Sequence, residues 1–197
     1  MSALILASQS WGRKRLFERD FTRFEIQVSD VDESVIPPLD PAHLTEQLAL
    51  LKAKAVANHY PTGWVCGFDT VVSCEGKILG KPVDLDEARS ILRFLSGKNQ
   101  SVFSGYAVIH RSGAFEVSGF TETVLHFARL TDDWIEDYIH HHPVTRFAGG
   151  YGVQDKDELV NIVSGELDTI VGASMTAVKN ELRRAGLPSD YFRDAPE

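Results

Sequence analysis

Cysteine, positive charge and long hydrophobic stretches are all scarce in this sequence of 197 residues. Its two cysteines, Cys66 and Cys74, lack the second pair that a zinc site needs, so we expect core thiols in a reducing compartment. No apolar run is long enough to span a bilayer, which predicts no membrane partner. Because no basic leader precedes the first apolar residues, we expect no signal peptide and a cytoplasmic location.

The balance of charge limits the classes of partner. Lys and Arg number 20 against 28 Asp and Glu, so the formal net charge is −8. An acidic surface repels nucleic acid at long range, so we expect no DNA or RNA partner. A small anionic substrate remains compatible with this charge, provided that basic side chains or a metal ion cluster locally.

Strand and helix patterns alternate along the chain, which predicts an α/β fold. We expect strands at 4–7, 24–28, 65–73, 77–79, 101–110, 114–127, 160–163 and 169–171. Helices are expected after Ser10, from Pro41, after a cap at Asp86, from Thr131, and over 175–185. No repeat or linker divides the chain, so we expect one domain over residues 1–197, with a single core or with two lobes around a cleft.

A polar turn follows the first predicted strand. Ser8 and Ser10 precede a basic helix that contains Arg13. Free backbone N–H groups, the helix dipole, two hydroxyls and a guanidinium would converge there on an anion. The competing interpretation is a plain helix cap followed by a solvated basic helix. Composition alone favours this second interpretation, because the turn is not a glycine-rich phosphate loop.

Carboxylates stand at two places where they could bind a metal ion. Asp32 and Glu33 form an acidic turn, which can hold Mg²⁺ but is usually only a solvated loop. Asp69 lies within an otherwise apolar strand, where a carboxylate is costly to bury unless it is paired or binds a metal. Asp69 is therefore a functional candidate, and the alternative is a strand bulge in which its side chain bonds to the backbone.

Lysines and a glycine-rich segment complete the candidates. Lys81 stands between a glycine and a proline, which suits a side chain that is directed at a phosphate. Lys52 and Lys54 on the second helix could add positive charge, and all three lysines could instead serve solubility. Residues 148–154 contain three glycines that permit close approach to a ligand, and Tyr151 and Gln154 could contact a base. The alternative is an irregular turn without a ligand.

These pieces and their order resemble the Maf family of septum-formation inhibitors. The matching segments are Leu6-Ala7-Ser8-Gln9-Ser10 with Arg13, Val31-Asp32-Glu33-Ser34, Leu48-Ala49 with Lys52-Ala53, Gly67, Asp69-Thr70-Val71-Val72, Gly80-Lys81-Pro82, Glu87-Ala88, Leu95-Ser96-Gly97-Lys98, 148–154 and Val171-Gly172. They span residues 4 to about 186, so the resemblance covers nearly the whole chain.

The resemblance implies a mixed α/β fold with two lobes around a cleft, related to the inosine-triphosphate pyrophosphatases. It also implies a homodimer that needs Mg²⁺ or Mn²⁺. The implied reaction is hydrolysis of the bond between the α- and β-phosphates of a nucleoside triphosphate, which gives a nucleoside monophosphate and pyrophosphate.

The resemblance also implies roles for individual residues. Asp69 resembles the general base, and Glu33 resembles an acidic residue that shares a metal site with Asp69. The implied triphosphate cradle consists of Ser8, Ser10, Arg13, Lys52 and Lys81, of which the two lysines would also assist catalysis. Thr70 and Gln154 match the specificity positions of the dTTP/UTP branch.

Two departures from the family pattern bear on the substrate. The family often reads Ser-Pro-Arg-Arg at the first motif, whereas this chain places Gly12 at a specificity position, with Trp11 beside it. The family's Gly-Leu-Pro is here Gly172-Ala173-Ser174. Hydrolysis of 7-methyl-GTP or another modified purine nucleotide therefore stays open as an alternative. A non-catalytic, nucleotide-sensing regulator of cell division is a further alternative, although the candidate base at Asp69 favours an enzyme.

Overall fold

The computed structural model describes residues 3–152 and 160–193, within which there are seven strands and six α-helices. The strands are β1 (Leu4–Ala7), β2 (Glu25–Ile26), β3 (Trp64–Cys74), β4 (Lys77–Leu79), β5 (Asn99–His110), β6 (Phe115–Phe127) and β7 (Val160–Ser164). The helices are α1 (Trp11–Asp20), α2 (Pro41–Ala57), α3 (Leu85–Leu95), α4 (Asp132–His141), α5 (Leu167–Val171) and α6 (Met175–Arg184).

The strands belong to one mixed sheet in the order β2-β1-β3-β5-β6-β7, with β4 paired to β3. β1 is parallel to both β2 and β3, whereas β4 and β7 are antiparallel to β3 and β6. All four residues of β1 are buried, as expected for a parallel strand covered on both faces. The predicted mixed α/β class is confirmed.

Two sequence-based assignments are wrong, and the strand predicted over 24–28 is shorter, Glu25–Ile26. Residues 169–171 are not a strand but part of α5, although Thr169 and its neighbours favour β-structure. Gly165 takes a left-handed conformation (φ 95°), and the backbone of Glu166 exchanges hydrogen bonds with the Thr123 hydroxyl, which starts a helical turn instead. Helix α3 is capped by Asp84 rather than by Asp86.

Contacts within the chain divide it into two compact units. Unit 1 takes residues 1–69, 104–121 and 172–197, and unit 2 takes residues 70–103 and 122–171. Each unit has its own cluster of buried hydrophobic residues. None of the helices within residues 3–152 and 160–193 is long and apolar enough to cross a membrane.

In unit 1, helix α2 packs closely against strand β3. The helix begins at the predicted place, where Asp40 caps it and Pro41 is its first residue. Ala49 and Ala53 face Gly67 so closely that a β-carbon at position 67 would lie 2.3 Å from the Ala49 carbonyl oxygen. These small residues therefore allow a short distance between helix and strand. This distance determines which groups on β3 the polar side chains of α2 can reach.

In unit 2, helices α3 and α4 pack together over a core of aliphatic and aromatic side chains. The buried members are Cys74, Ala88, Leu92, Leu95, Phe127, Leu130, Ile135, Tyr138, Ile139, Val144 and Tyr151. At the edge of this core, Gly149 has φ 71° and donates its backbone N–H to the carbonyl of Gly80 at 2.9 Å. This bond ties the glycine-rich segment to the residue before Lys81.

Candidate active site

The turn between β1 and α1 is a compact hydrogen-bonded unit. Ser10 caps α1 by accepting from the Arg13 N–H at 3.4 Å, and its own N–H donates to the Ser8 hydroxyl at 3.2 Å. Arg13 folds back, so that its Nη1 donates to the same Ser8 hydroxyl at 3.1 Å. The helix cap expected under the plain interpretation is present, and the guanidinium that the functional interpretation requires lies beside it.

The Arg13 guanidinium is held on a second side as well. Its Nε donates to the Gly172 carbonyl at 2.7 Å, and its charge lies over the Phe68 ring at 5.7 Å from the centroid. Burial lowers the pKa of Arg13, while the nearby carboxylates of Asp69 and Glu33 raise it. An arginine stays protonated under such shifts, so a fixed positive charge lies close to both acids.

Lys52 brings the two candidate acids together. Its ammonium lies 2.5 Å from Asp69 Oδ1 and 2.9 Å from Glu33 Oε1. The contact follows from the packing of α2 on β3. Lys52 lies one turn after Ala49 on the same helical face, and Asp69 projects from the same face of β3 as Gly67. The close approach at Gly67 therefore places the ammonium within reach of the carboxylate.

Asp32 and Glu33, which are adjacent in sequence, have different roles in the structure. Asp32 caps the short 3₁₀ turn Glu33–Val35 and accepts from the Ser34 hydroxyl at 2.6 Å and from the Ser34 N–H at 2.9 Å. These bonds hold the pKa of Asp32 below its usual value. Asp32 thus shapes the turn, which leaves Glu33 as the carboxylate that meets Lys52.

The remaining candidates lie in unit 2, at the start of α1 or outside the described residues. Thr70 follows Asp69 on β3 and is half-buried. Lys81 is exposed on the segment between β4 and α3. Gln154 lies outside the described residues. Gly12 is buried in the first turn of α1. Trp11 beside it is 56% exposed, with the Arg15 guanidinium carbon 4.8 Å from the centroid of its ring.

One participant was not predicted as a site residue, although it belongs to the matching segment Val171-Gly172. The Gly172 carbonyl, 159 positions from Arg13, accepts the hydrogen bond that orients the guanidinium. A backbone carbonyl exists at every position, so only the fold shows which of them faces Arg13.

The arrangement fits a divalent cation only in part. Glu33 and Asp69 converge on one cation, the ammonium of Lys52, which shows that two carboxylates can serve a single positive charge here. Mg²⁺ often binds through one or two carboxylates, with phosphates and waters as the other ligands. In the described part of the chain, no three His, Cys, Asp or Glu side chains group around a possible metal position. The residues therefore fit a site that substrate oxygens complete.

Comparison with known proteins identifies the family of this chain. The model of the family described as Maf-like protein matches residues 3–185. A protein of Geobacillus sp. (strain WCH70) is 40% identical over 188 residues, which are 94% of this chain and 100% of the relative. A protein of Moorella thermoacetica is 39% identical over 95% of this chain and 97% of its own length. Both relatives bear the name dTTP/UTP pyrophosphatase. The chain belongs to the family of Maf-like proteins.

Proposed function

We propose that this protein is a metal-dependent nucleoside triphosphate pyrophosphatase that hydrolyses the α–β phosphate bond of dTTP and UTP. The observation that carries the proposal is the cluster in unit 1, where Lys52 joins Glu33 and Asp69 beside the fixed guanidinium of Arg13. The names of two relatives, at 39% and 40% identity over nearly the whole chain, support dTTP and UTP as substrates.

The turn before α1 supplies the groups that would bind phosphate. Helix α1 has ten residues and begins directly after its cap, Ser10. Backbone N–H groups of its first turn point out of the N-terminus, where the helix dipole favours an anion. The Ser8 hydroxyl and the planar fork of Arg13 add donors on one side. Because Arg13 is already oriented by Gly172, little side-chain freedom would be lost when a phosphate binds.

The carboxylates supply the groups that would bind the metal ion and the water. Glu33 and Asp69 would hold Mg²⁺ or Mn²⁺, which would neutralise the charge of the triphosphate when bound. Asp69 would accept a proton from the water that attacks the α-phosphorus. Lys52 and Lys81 would stabilise the negative charge of the departing pyrophosphate, because ammonium groups are compact donors with a mobile stem.

Selectivity for the base is assigned to Thr70 and Gln154. Thymine and uracil present an N–H donor beside a carbonyl acceptor, and an amide can pair with both. A glutamate at position 154 would instead suit the two adjacent donors of guanine. The exposed ring of Trp11 beside Gly12 keeps 7-methyl-GTP as the second candidate, because a methylated purine could stack on that ring.

The test is a panel of triphosphates with Mg²⁺ and with Mn²⁺, in which both products are identified. We expect dTTP and UTP to give the monophosphate and pyrophosphate, and we expect EDTA to stop the reaction. Nucleoside diphosphate and orthophosphate as primary products would contradict the proposal. Nucleotide binding without turnover would instead favour a nucleotide-sensing regulator.

The same panel, repeated with Gln154→Glu, tests the reading of the base. The substitution should lower kcat/KM for dTTP relative to 7-methyl-GTP. A wild type that prefers 7-methyl-GTP, or an unchanged ranking in the variant, would contradict the pyrimidine assignment. The resemblance also supports a homodimer, which sedimentation of the purified protein checks.

A further inference from the structure

The position of Lys52 raises a problem for the proposed metal site. Its ammonium makes close ion pairs with both carboxylates that the proposed function assigns to the divalent cation. A lysine that only bound phosphate would have no need to bridge these two acids. The same oxygens thus have two competing partners, one supplied by the chain and one by solution.

The two partners exclude each other for electrostatic reasons. A divalent ion coordinated by Asp69 Oδ1 would lie within a few ångströms of an ammonium that also touches this oxygen at 2.5 Å. Like charges at that separation repel strongly where water is largely excluded. Metal binding therefore requires the Lys52 ammonium to leave at least one carboxylate.

We propose that the Lys52 ammonium holds the place of the divalent cation in the nucleotide-free protein and yields it when a triphosphate arrives. This inference rests on the proposed function, which makes Glu33 and Asp69 the metal-binding carboxylates. The flexible stem of Lys52 lets its ammonium exchange carboxylate oxygens for phosphate oxygens. The protein consequently binds free metal poorly and takes up metal together with the nucleotide.

The two ion pairs of Lys52 differ in strength. The side chains of Lys52 and Asp69 are only 14% and 12% exposed, whereas that of Glu33 is 53% exposed. Solvent screens the pair with Glu33, so this pair contributes little and breaks first. Competition with the metal is therefore concentrated at Asp69.

The experiment measures Mn²⁺ binding to the nucleotide-free protein by electron paramagnetic resonance. Lys52→Met should tighten Mn²⁺ binding by about tenfold or more, because it removes a positive charge in contact with both ligands. Lys54→Met is the matched control, since Lys54 lies on the same helix but pairs with Glu116 at 2.8 Å. This control should leave Mn²⁺ binding unchanged.

Additional variants distinguish competition between Lys52 and the metal ion from a purely structural role of Lys52. Lys52→Arg keeps the charge and should bind Mn²⁺ as weakly as the wild type. Combining Lys52→Met with Asp69→Asn should abolish the gain in affinity. If Lys52→Met does not fold, Lys52→Gln keeps a hydrogen-bond donor for Asp69 without the charge.

Unchanged or weaker Mn²⁺ binding in the uncharged variants would overturn the proposal that Lys52 holds the place of the metal ion. A gain in affinity that survives Asp69→Asn would overturn it as well. Neither result depends on turnover. If the wild type hydrolyses dTTP but Lys52→Met shows no gain in Mn²⁺ affinity, only the proposed role of Lys52 as a place-holder for the metal is refuted. A protein that hydrolyses no triphosphate refutes the proposed function, whatever its affinity for Mn²⁺.

Discussion

Substituting Gly67 by alanine should damage the site without touching any of its polar groups. A β-carbon at position 67 would lie 2.3 Å from the Ala49 carbonyl oxygen and 2.8 Å from both the nitrogen and the β-carbon of Ala53. Two of these three atoms belong to the helix backbone and cannot rotate away. Helix α2 must therefore move off β3, and Lys52 must move away from Asp69.

The size of the effect follows from the cost of overpacking. One methyl group forced into a well-packed core costs roughly 1–3 kcal/mol of the free energy of unfolding, and contact with a backbone favours the upper end. For a chain of this length, about 1 kcal/mol corresponds to a fall in melting temperature of roughly 2–4 °C. At a cost of about 2–3 kcal/mol, Gly67→Ala should melt roughly 4–12 °C lower. Its turnover of dTTP should fall more than its affinity for the nucleotide.

Two other glycines provide the comparison. A β-carbon at Gly105 on β5 would lie 2.1 Å from the carbonyl oxygen of Thr45, which lies on α2 about two turns before Lys52. Gly105→Ala should lower the melting temperature similarly, with a smaller loss of turnover. A β-carbon at Gly80 would meet nothing within 4 Å, so Gly80→Ala should leave the melting temperature unchanged. A Gly67→Ala protein with normal melting and turnover would refute the reasoning.

Three further substitutions test separate contacts. Asp69→Asn should keep the fold and lower kcat roughly 10²-fold or more in a steady-state dTTP assay, and near-normal turnover would exclude Asp69 as the base. Arg13→Lys keeps the charge but loses the planar fork that Ser8 helps to hold, so KM for dTTP should rise in the same assay. Burial raises the pKa of Asp20, but hydrogen bonds from Arg19 and Lys179 outweigh it and bring the pKa below 3.8. The stability that Asp20 contributes is therefore present above pH 3.8 and lost as the pH falls through the folded-state pKa. In urea titrations, Asp20→Asn should be less stable than the wild type at pH 7, and this difference should shrink as the pH is lowered below 3.8; a difference that stays constant would contradict this.

Much of the candidate site follows from local patterns in the sequence. The cost of burying Asp69 in an apolar strand predicts a partner for it, and Lys52 is that partner in the structure. Local patterns do not decide between Lys52 and Lys54. The packing of α2 decides it, because the Ala49 and Ala53 face of the helix lies on β3, and Lys54 consequently pairs with Glu116.

Other features depend on contacts between distant parts of the chain. The β-branched residues of α5 favour a strand, but the hydrogen bonds between Thr123 and Glu166 begin a helical turn there. The orientation of Arg13 depends on the carbonyl of Gly172, which side-chain chemistry does not reveal. Local sequence thus predicts which groups need partners, and the tertiary packing determines which partners they obtain.

The site of water attack is the most direct test of the central claim. Hydrolysis of dTTP in H₂¹⁸O, followed by mass spectrometry of both products, shows which phosphorus the water attacked. We expect the label in thymidine monophosphate and none in pyrophosphate, because Asp69 and the bound cation would direct water to the α-phosphorus. Label in pyrophosphate, or release of labelled orthophosphate with thymidine diphosphate, would contradict the account.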